Sequence, residues 1–195
     1  MRIIGLTGSI GMGKSTTASM FRARGIAVHD ADAAVHRLYA GPAVALVEAL
    51  FPGVAAGGVI DRRRLAARLS DEPEGLAKLE AIVHPLVRES EAAFVDRGRI
   101  KGTRLVVLDV PLLFETGGSE RADAVVVVSA DPETQRSRVL ARAGMTEAKF
   151  LTLLARQLPD REKRRRAHFL VDTGFGLPAA ARQVDAILRA LAFTA

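Results

Sequence analysis

An α/β fold built on a five-stranded parallel sheet flanked by helices is what this sequence predicts, and three observations predict it. Short apolar runs rich in β-branched residues recur along the 195 residues. They are continuous rather than alternating, as expected of strands covered on both faces. Segments with helical spacing separate them, which is the rhythm of parallel α/β units.

The expected strands are Ile3–Leu6, Ile26–His29, Leu105–Asp109, Ala124–Val128 and His168–Val171. A first helix is predicted over Ser15–Arg24, with Ala18, Phe21 and Ala23 near one face and Gly25 where it should end. The last is predicted over Pro178–Leu191, carrying Val184, Ile187, Leu188 and Leu191 at helical spacing. Helical stretches also fill the long gap after the second strand: Val44–Phe51, Arg62–Ser70, Leu76–Val83 and Leu86–Val95. His84-Pro85 reads as the junction between the last two, since proline fits a first turn.

One domain is therefore expected. Its core is formed by residues 1–30, 104–131 and 167–195, with a helical substrate-binding insertion at 31–103 and an arginine-rich lid at 132–166.

Composition narrows the classes. Cysteine is absent, which excludes disulfides, thiolate metal sites and cysteine nucleophiles. No apolar stretch approaches the ~18 residues that span a bilayer, and Gly5 to Ser15 interrupts any signal-peptide core, so a cytoplasmic protein without membrane partners is expected. The formal net charge is +6, and only five of the 28 basic residues are lysines. Basic charge is compatible with nucleic acid, but the arginines do not alternate with aromatics as stacking platforms require. Solvated surface and phosphate ligands are the preferred reading, with no nucleic-acid partner.

The chemistry is concentrated in one loop. Gly8-Ser9-Ile10-Gly11-Met12-Gly13-Lys14-Ser15 matches G-x-x-x-x-G-K-[ST], directly after a strand and before a helix. Gly8, Gly11, Met12 and Gly13 let main-chain amides converge on phosphate oxygens, and the helix start through Ser15 and Thr16 adds favourable partial charge. Lys14 supplies a compact cation to the β- and γ-phosphates, and the Ser15 hydroxyl can ligate Mg²⁺. This defines a P-loop NTPase fold that uses ATP with Mg²⁺. The sequence contains no asparagine, which excludes the guanine-reading motif of Ras-like GTPases.

Further positions have candidate roles. Asp30 and Asp32 follow the second strand, at the end where open α/β sheets bind ligands. Either could serve the acceptor or cap the next helix. Asp109 ends the third strand, where an aspartate can reach the metal, or serve only as a turn residue. Arg138 and Arg142 are one helical turn apart in the lid and could act together on the transferring phosphoryl group.

Leu6–Thr16, Asp30-Ala31-Asp32, Gly58-Val59-Ile60-Asp61-Arg62 with Leu65, and His84-Pro85-Leu86 resemble the dephospho-CoA kinase family. Asp109-Val110-Pro111-Leu112-Leu113-Phe114-Glu115, Gln157–Arg164 and Val171-Asp172-Thr173-Gly174 continue the likeness in family order over nearly the whole chain. One departure is Thr173, near which the family's pattern leads one to expect asparagine. The resemblance implies phosphoryl transfer from ATP to the ribose 3′-hydroxyl of dephospho-CoA, the final step of coenzyme A biosynthesis. It implies Asp32 as base and His84 and Arg62 at the acceptor, beside the catalytic cations Lys14, Arg142 and Arg138 and the metal ligands Ser15 and Asp109 expected from the loop, the strand end and the helical spacing. A monomer or small homo-oligomer is expected. The competing readings are another small-metabolite or nucleoside monophosphate kinase, and a nucleotide-gated regulator.

Overall fold

A computed structural model describes residues 1–70 and 72–193. The chain divides into two compact units, Met1–His29 with Lys101–Ala195, and Asp30–Ile100.

The first unit is built on the sheet. β1 (Arg2–Thr7), β2 (Ala27–Asp30), β5 (Leu105–Asp109), β6 (Ala124–Ser129) and β7 (Phe169–Asp172) form a five-stranded parallel sheet in the order β2-β5-β1-β6-β7. β1 is central, pairing Leu6 with Asp109 on one side and with Val126 on the other. All six residues of β6 are buried, which is why its valines run without alternation. Val126 and Val128 enter one core with Ile4, Leu6 and Val107, closed by Ala18 and Phe21 of α1 (Lys14–Arg22) and Val184, Ile187 and Leu191 of α9 (Leu177–Phe193). Val125 and Val127 enter a second core with Leu113. The period-two pleat thus sends neighbouring valines into different layers.

α1 ends near its expected stop, with Gly25 in the left-handed region at φ 77°. Arg24 then ties α1 to α9 through Asp185, Nε to Oδ1 at 2.5 Å. This bond raises the Arg24 guanidinium above its ordinary value and lowers the Asp185 carboxyl.

Three helices follow β6: α6 (Pro132–Leu140), α7 (Glu147–Ala155) and α8 (Asp160–Arg166). Asp131 caps α6 by accepting from Thr134 N–H at 2.8 Å, and Thr146 caps α7 at the Lys149 N–H. α8 is fastened at both ends of its first turn. Ser129 Oγ donates to Asp160 at 2.7 Å, and Lys163, fully buried at 0% exposure, pairs with Glu115 at 2.9 Å.

The second unit packs α2 (Ala31–Leu38), α3 (Ala43–Leu50), α4 (Arg62–Ser70) and α5 (Gly75–Ile100) around Val47, Phe51, Leu65, Leu79 and Val83. A hairpin of β3 (Ala55–Ala56) and β4 (Val59–Ile60) precedes α4 and anchors it, with Ile60 N–H donating to the Tyr39 carbonyl at 2.8 Å. Two-residue strands leave almost no pattern, and the sequence reading did not find them.

The expected helix junction at His84-Pro85 is corrected. α5 runs unbroken through Pro85. Proline there removes the hydrogen bond to the Ala81 carbonyl at a cost of about 3 kcal/mol. Leu79 and Val83 before it and Leu86 and Val87 after it all pack into the same cluster. Full burial of such a side chain contributes about 1.5–3 kcal/mol, so the buried Leu79 and Val83 with the partly buried Leu86 and Val87 together carry the helix across the defect. Ala81, His84 and Pro85 face solvent, where the orphaned carbonyl can be hydrated.

Candidate active site

The loop from Gly8 to Ser15 joins the central strand to α1. Gly11 and Gly13 adopt φ of 80° and 91°, a region where side chains are strained. A Cβ on Gly11 would also lie 2.5 Å from Val139 and 2.9 Å from the Gln135 carbonyl. Both the turn and the close approach of α6 therefore demand glycine. α1 has no acidic residue in its first turn and no side-chain cap. Its amino end is thus left to an anion.

Lys14 Nζ pairs with Asp109 Oδ1 at 2.5 Å, and Asp109 is only 2% exposed. A buried carboxylate needs such a cation. The ammonium is thereby held beside the loop it is expected to serve. Ser15 and Thr16 are exposed at the start of α1. Met12 is different. Its N–H turns inward to the Ser9 carbonyl at 3.1 Å, and its buried Sδ accepts from the Ala130 N–H at 3.0 Å. Its side chain therefore shapes the loop from beneath.

Beside the loop lies a cavity of about 310 Å³, lined by Gly13, Thr16, Thr17, Arg138, Arg142 and Thr173 among others. Arg138 and Arg142 both line it. Arg138 is also tethered, donating to Thr173 Oγ1 at 2.8 Å and to the Thr173 carbonyl at 2.9 Å. Thr173 in turn donates to the Met12 carbonyl at 2.8 Å. Thr173, near which asparagine was expected, thus connects the Gly8–Ser15 loop to Arg138, a contact the sequence did not announce.

In the second unit, a cavity of about 430 Å³ is lined by Asp32, His36, Tyr39, Arg62 and Leu65 among others. Asp30 caps α2, accepting from the Ala33 N–H at 2.9 Å. Asp32, two residues further, is exposed at the cavity. Asp61 caps α4 at the Arg63 and Arg64 N–H groups, which hold its carboxyl below the usual range with help from the arginine charges. Arg62 is so placed that its Nη1 lies 3.1 Å from His36 Nε2. Burial raises the Tyr39 phenol, partly offset by the charge of Arg62. His84 lies on the exposed side of α5 and is not among the residues lining this cavity. His36 of α2 and Tyr39, the residue that caps its end, are here instead, in a stretch where the sequence did not delimit a helix.

The Lys163–Glu115 pair fastens α8 to the segment that follows β5. Lys163 also donates to the Pro111 carbonyl at 3.4 Å, and Glu115 accepts from the Leu158 N–H at 2.7 Å. Burial pushes the Glu115 carboxyl up, but the bonds from Lys163 and Leu158 outweigh it and hold the group below its ordinary value. Lys163→Met should cost about 1.5–3 kcal/mol in urea unfolding, the worth of a charge-assisted hydrogen bond, because Glu115 loses its counterion but reaches solvent and keeps the Leu158 N–H. The sign with pH follows from the depressed carboxyl. The wild-type advantage should be complete above the ordinary carboxylate range and fade as pH falls through the lower folded value.

A parallel α/β sheet with a complete phosphate loop after its central strand, a buried lysine–aspartate pair and arginines beside the loop defines a P-loop kinase. The comparisons specify which one. The family model for dephospho-CoA kinase matches residues 2–177. A dephospho-CoA kinase of Mesorhizobium japonicum is 59% identical over 96% of this chain and 95% of its own, and one of Rhizobium meliloti is 58% identical over 96% and 97%. The crystal structure of TT1252 from Thermus thermophilus superposes with a TM-score of 0.82 at 37% identity, covering 97% of each chain. The chain belongs to the dephospho-CoA kinase family.

Proposed function

We infer that this chain transfers the γ-phosphoryl group of ATP to the ribose 3′-hydroxyl of dephospho-CoA, giving CoA and ADP. The observation that carries the reading is the Gly8–Ser15 loop, with Lys14 held beside it, in a chain that matches the family over residues 2–177.

In this reading the triphosphate lies on the loop, gripped by main-chain amides at the start of α1. Lys14 exchanges part of its attachment to Asp109 for the β- and γ-phosphates. Ser15 and Asp109 are the residues that would hold Mg²⁺. They fit it, because both offer hard oxygen donors and Lys14, the residue before Ser15, bonds Asp109 directly. The ion, when bound, neutralises charge on the phosphate oxygens. Arg142, with Arg138 steadied by Thr173, supplies positive charge beside the loop as the phosphoryl group leaves. Asp32 orients the acceptor hydroxyl and takes its proton, and Arg62 contacts the acceptor in the cavity both residues line. His84 remains a proposed acceptor contact on the family resemblance alone. The setting proposed is cytoplasmic, as a monomer or small homo-oligomer.

The test is direct. With ATP, Mg²⁺ and a panel of acceptors, mass spectrometry should find one added phosphoryl group on dephospho-CoA. Transfer to a shikimate- or nucleotide-type acceptor, with dephospho-CoA untouched, would overturn the assignment.

A further inference from the structure

We propose that Gln135 and Gln157 are positioning residues for phosphoryl transfer, fixing the two peptides on either side of Ile10 in the P-loop. The Ile10 N–H donates to Gln157 Oε1 at 2.9 Å. The Ile10 carbonyl accepts from Gln135 Nε2 at 2.7 Å. The two glutamines come from different segments, Gln135 from the first half of α6 and Gln157 from just beyond α7. Both belong to the stretch that the sequence marks as a lid.

The geometry gives these contacts a consequence beyond packing. A trans peptide is planar, so its carbonyl and the next N–H point in opposite directions. Aiming the Ile10 carbonyl at Gln135 therefore aims the Gly11 N–H away from α6. This direction would otherwise be loosely determined, because Gly11 has φ 80° and no side chain to restrain it. α6 also lies too close for any side chain at Gly11. Gln135 is buried and Gln157 half-buried. The loop's own residues supply the donors, while the two lid segments set their direction. This inference rests on reading the loop as the triphosphate site.

The partner groups dictate which end of each amide is needed. Gln157 must accept, and Gln135 must donate. The test is a set of four variants, Q157M, Q157E, Q135M and Q135E, assayed with ATP and dephospho-CoA. Each methionine variant should lower kcat/KM for ATP about tenfold, the worth of one lost hydrogen bond. KM for dephospho-CoA should stay within twofold. A carboxylate at 157 can still accept from the Ile10 N–H, so Q157E should fall between Q157M and wild type. A carboxylate at 135 cannot donate and would face a carbonyl, so Q135E should be worse than Q135M.

A general charge effect would make both glutamate variants worse than their methionine counterparts, and a packing role would treat positions 135 and 157 alike. Either pattern, or four variants within twofold of wild type, would overturn the proposal. If the buried Gln135 variants fail to fold, the Q157M and Q157E order decides it alone. A wild-type protein that cannot use ATP on dephospho-CoA would instead sink the functional reading, whatever the variants do.

Discussion

Asp32→Asn is expected to lower kcat by about 10²–10⁴-fold, the usual contribution of a positioned general base. The amide preserves size and hydrogen bonding but cannot accept the acceptor hydroxyl's proton. The fold gives Asp32 this opportunity by assigning the capping task to its neighbour, since Asp30 already accepts from the Ala33 N–H. Asp32 is left at the cavity with His36 and Arg62. Helix stability should therefore change little. KM for ATP should stay within about twofold, because the loop, Lys14 and Asp109 belong to the other unit. Steady-state kinetics with both substrates varied, alongside calorimetric ADP binding, separates the two effects. Near-normal turnover would remove Asp32 as the base.

Much of this was legible in the sequence for physical reasons. β5 and β6 are buried on both faces, so their apolar runs could be read without tertiary knowledge. The phosphate loop was legible because left-handed backbone, close packing and a compact cation each demand one residue type, at Gly11, Gly13 and Lys14. Asp30 showed the limit of such reading. Its position suited a cap or a ligand equally, and only the Ala33 N–H shows that it caps.

What the sequence hid are contacts between distant segments. Gln135 and Gln157 lie 125 and 147 residues from Ile10 in the chain; Gln135 carries no local signal, and the family likeness at Gln157 does not tell that it meets Ile10. His36 escaped notice because nothing nearby announces that Arg62 will meet it. Pro85 misled in the opposite way. Local propensity argued for a helix end, and packing on both sides of the proline overrode it. The arginine-rich segment concealed Lys163, whose buried pairing with Glu115 sets it apart from the exposed Arg164, Arg165 and Arg166.

Lys14→Ala should weaken triphosphate binding and lower kcat together, the rate by about 10²–10³-fold, as expected when a preorganised charge is removed from a developing anion. The structure adds a second consequence. Lys14 is also the ammonium that neutralises Asp109, 2% exposed at the end of β5. Removing it withdraws a counterion from a buried carboxylate, so the nucleotide-free protein should also lose stability. The two effects can be separated by adding Asp109→Asn to the Lys14→Ala background. The neutral amide needs no counterion, so the double variant should recover much of the lost stability in urea unfolding. It should recover none of the rate, since the phosphates still lack their cation. If the single variant kept wild-type turnover, the loop assignment would fail. If its rate fell while its stability did not, Lys14 would still serve the phosphates, but its bond to Asp109 would contribute nothing to the fold.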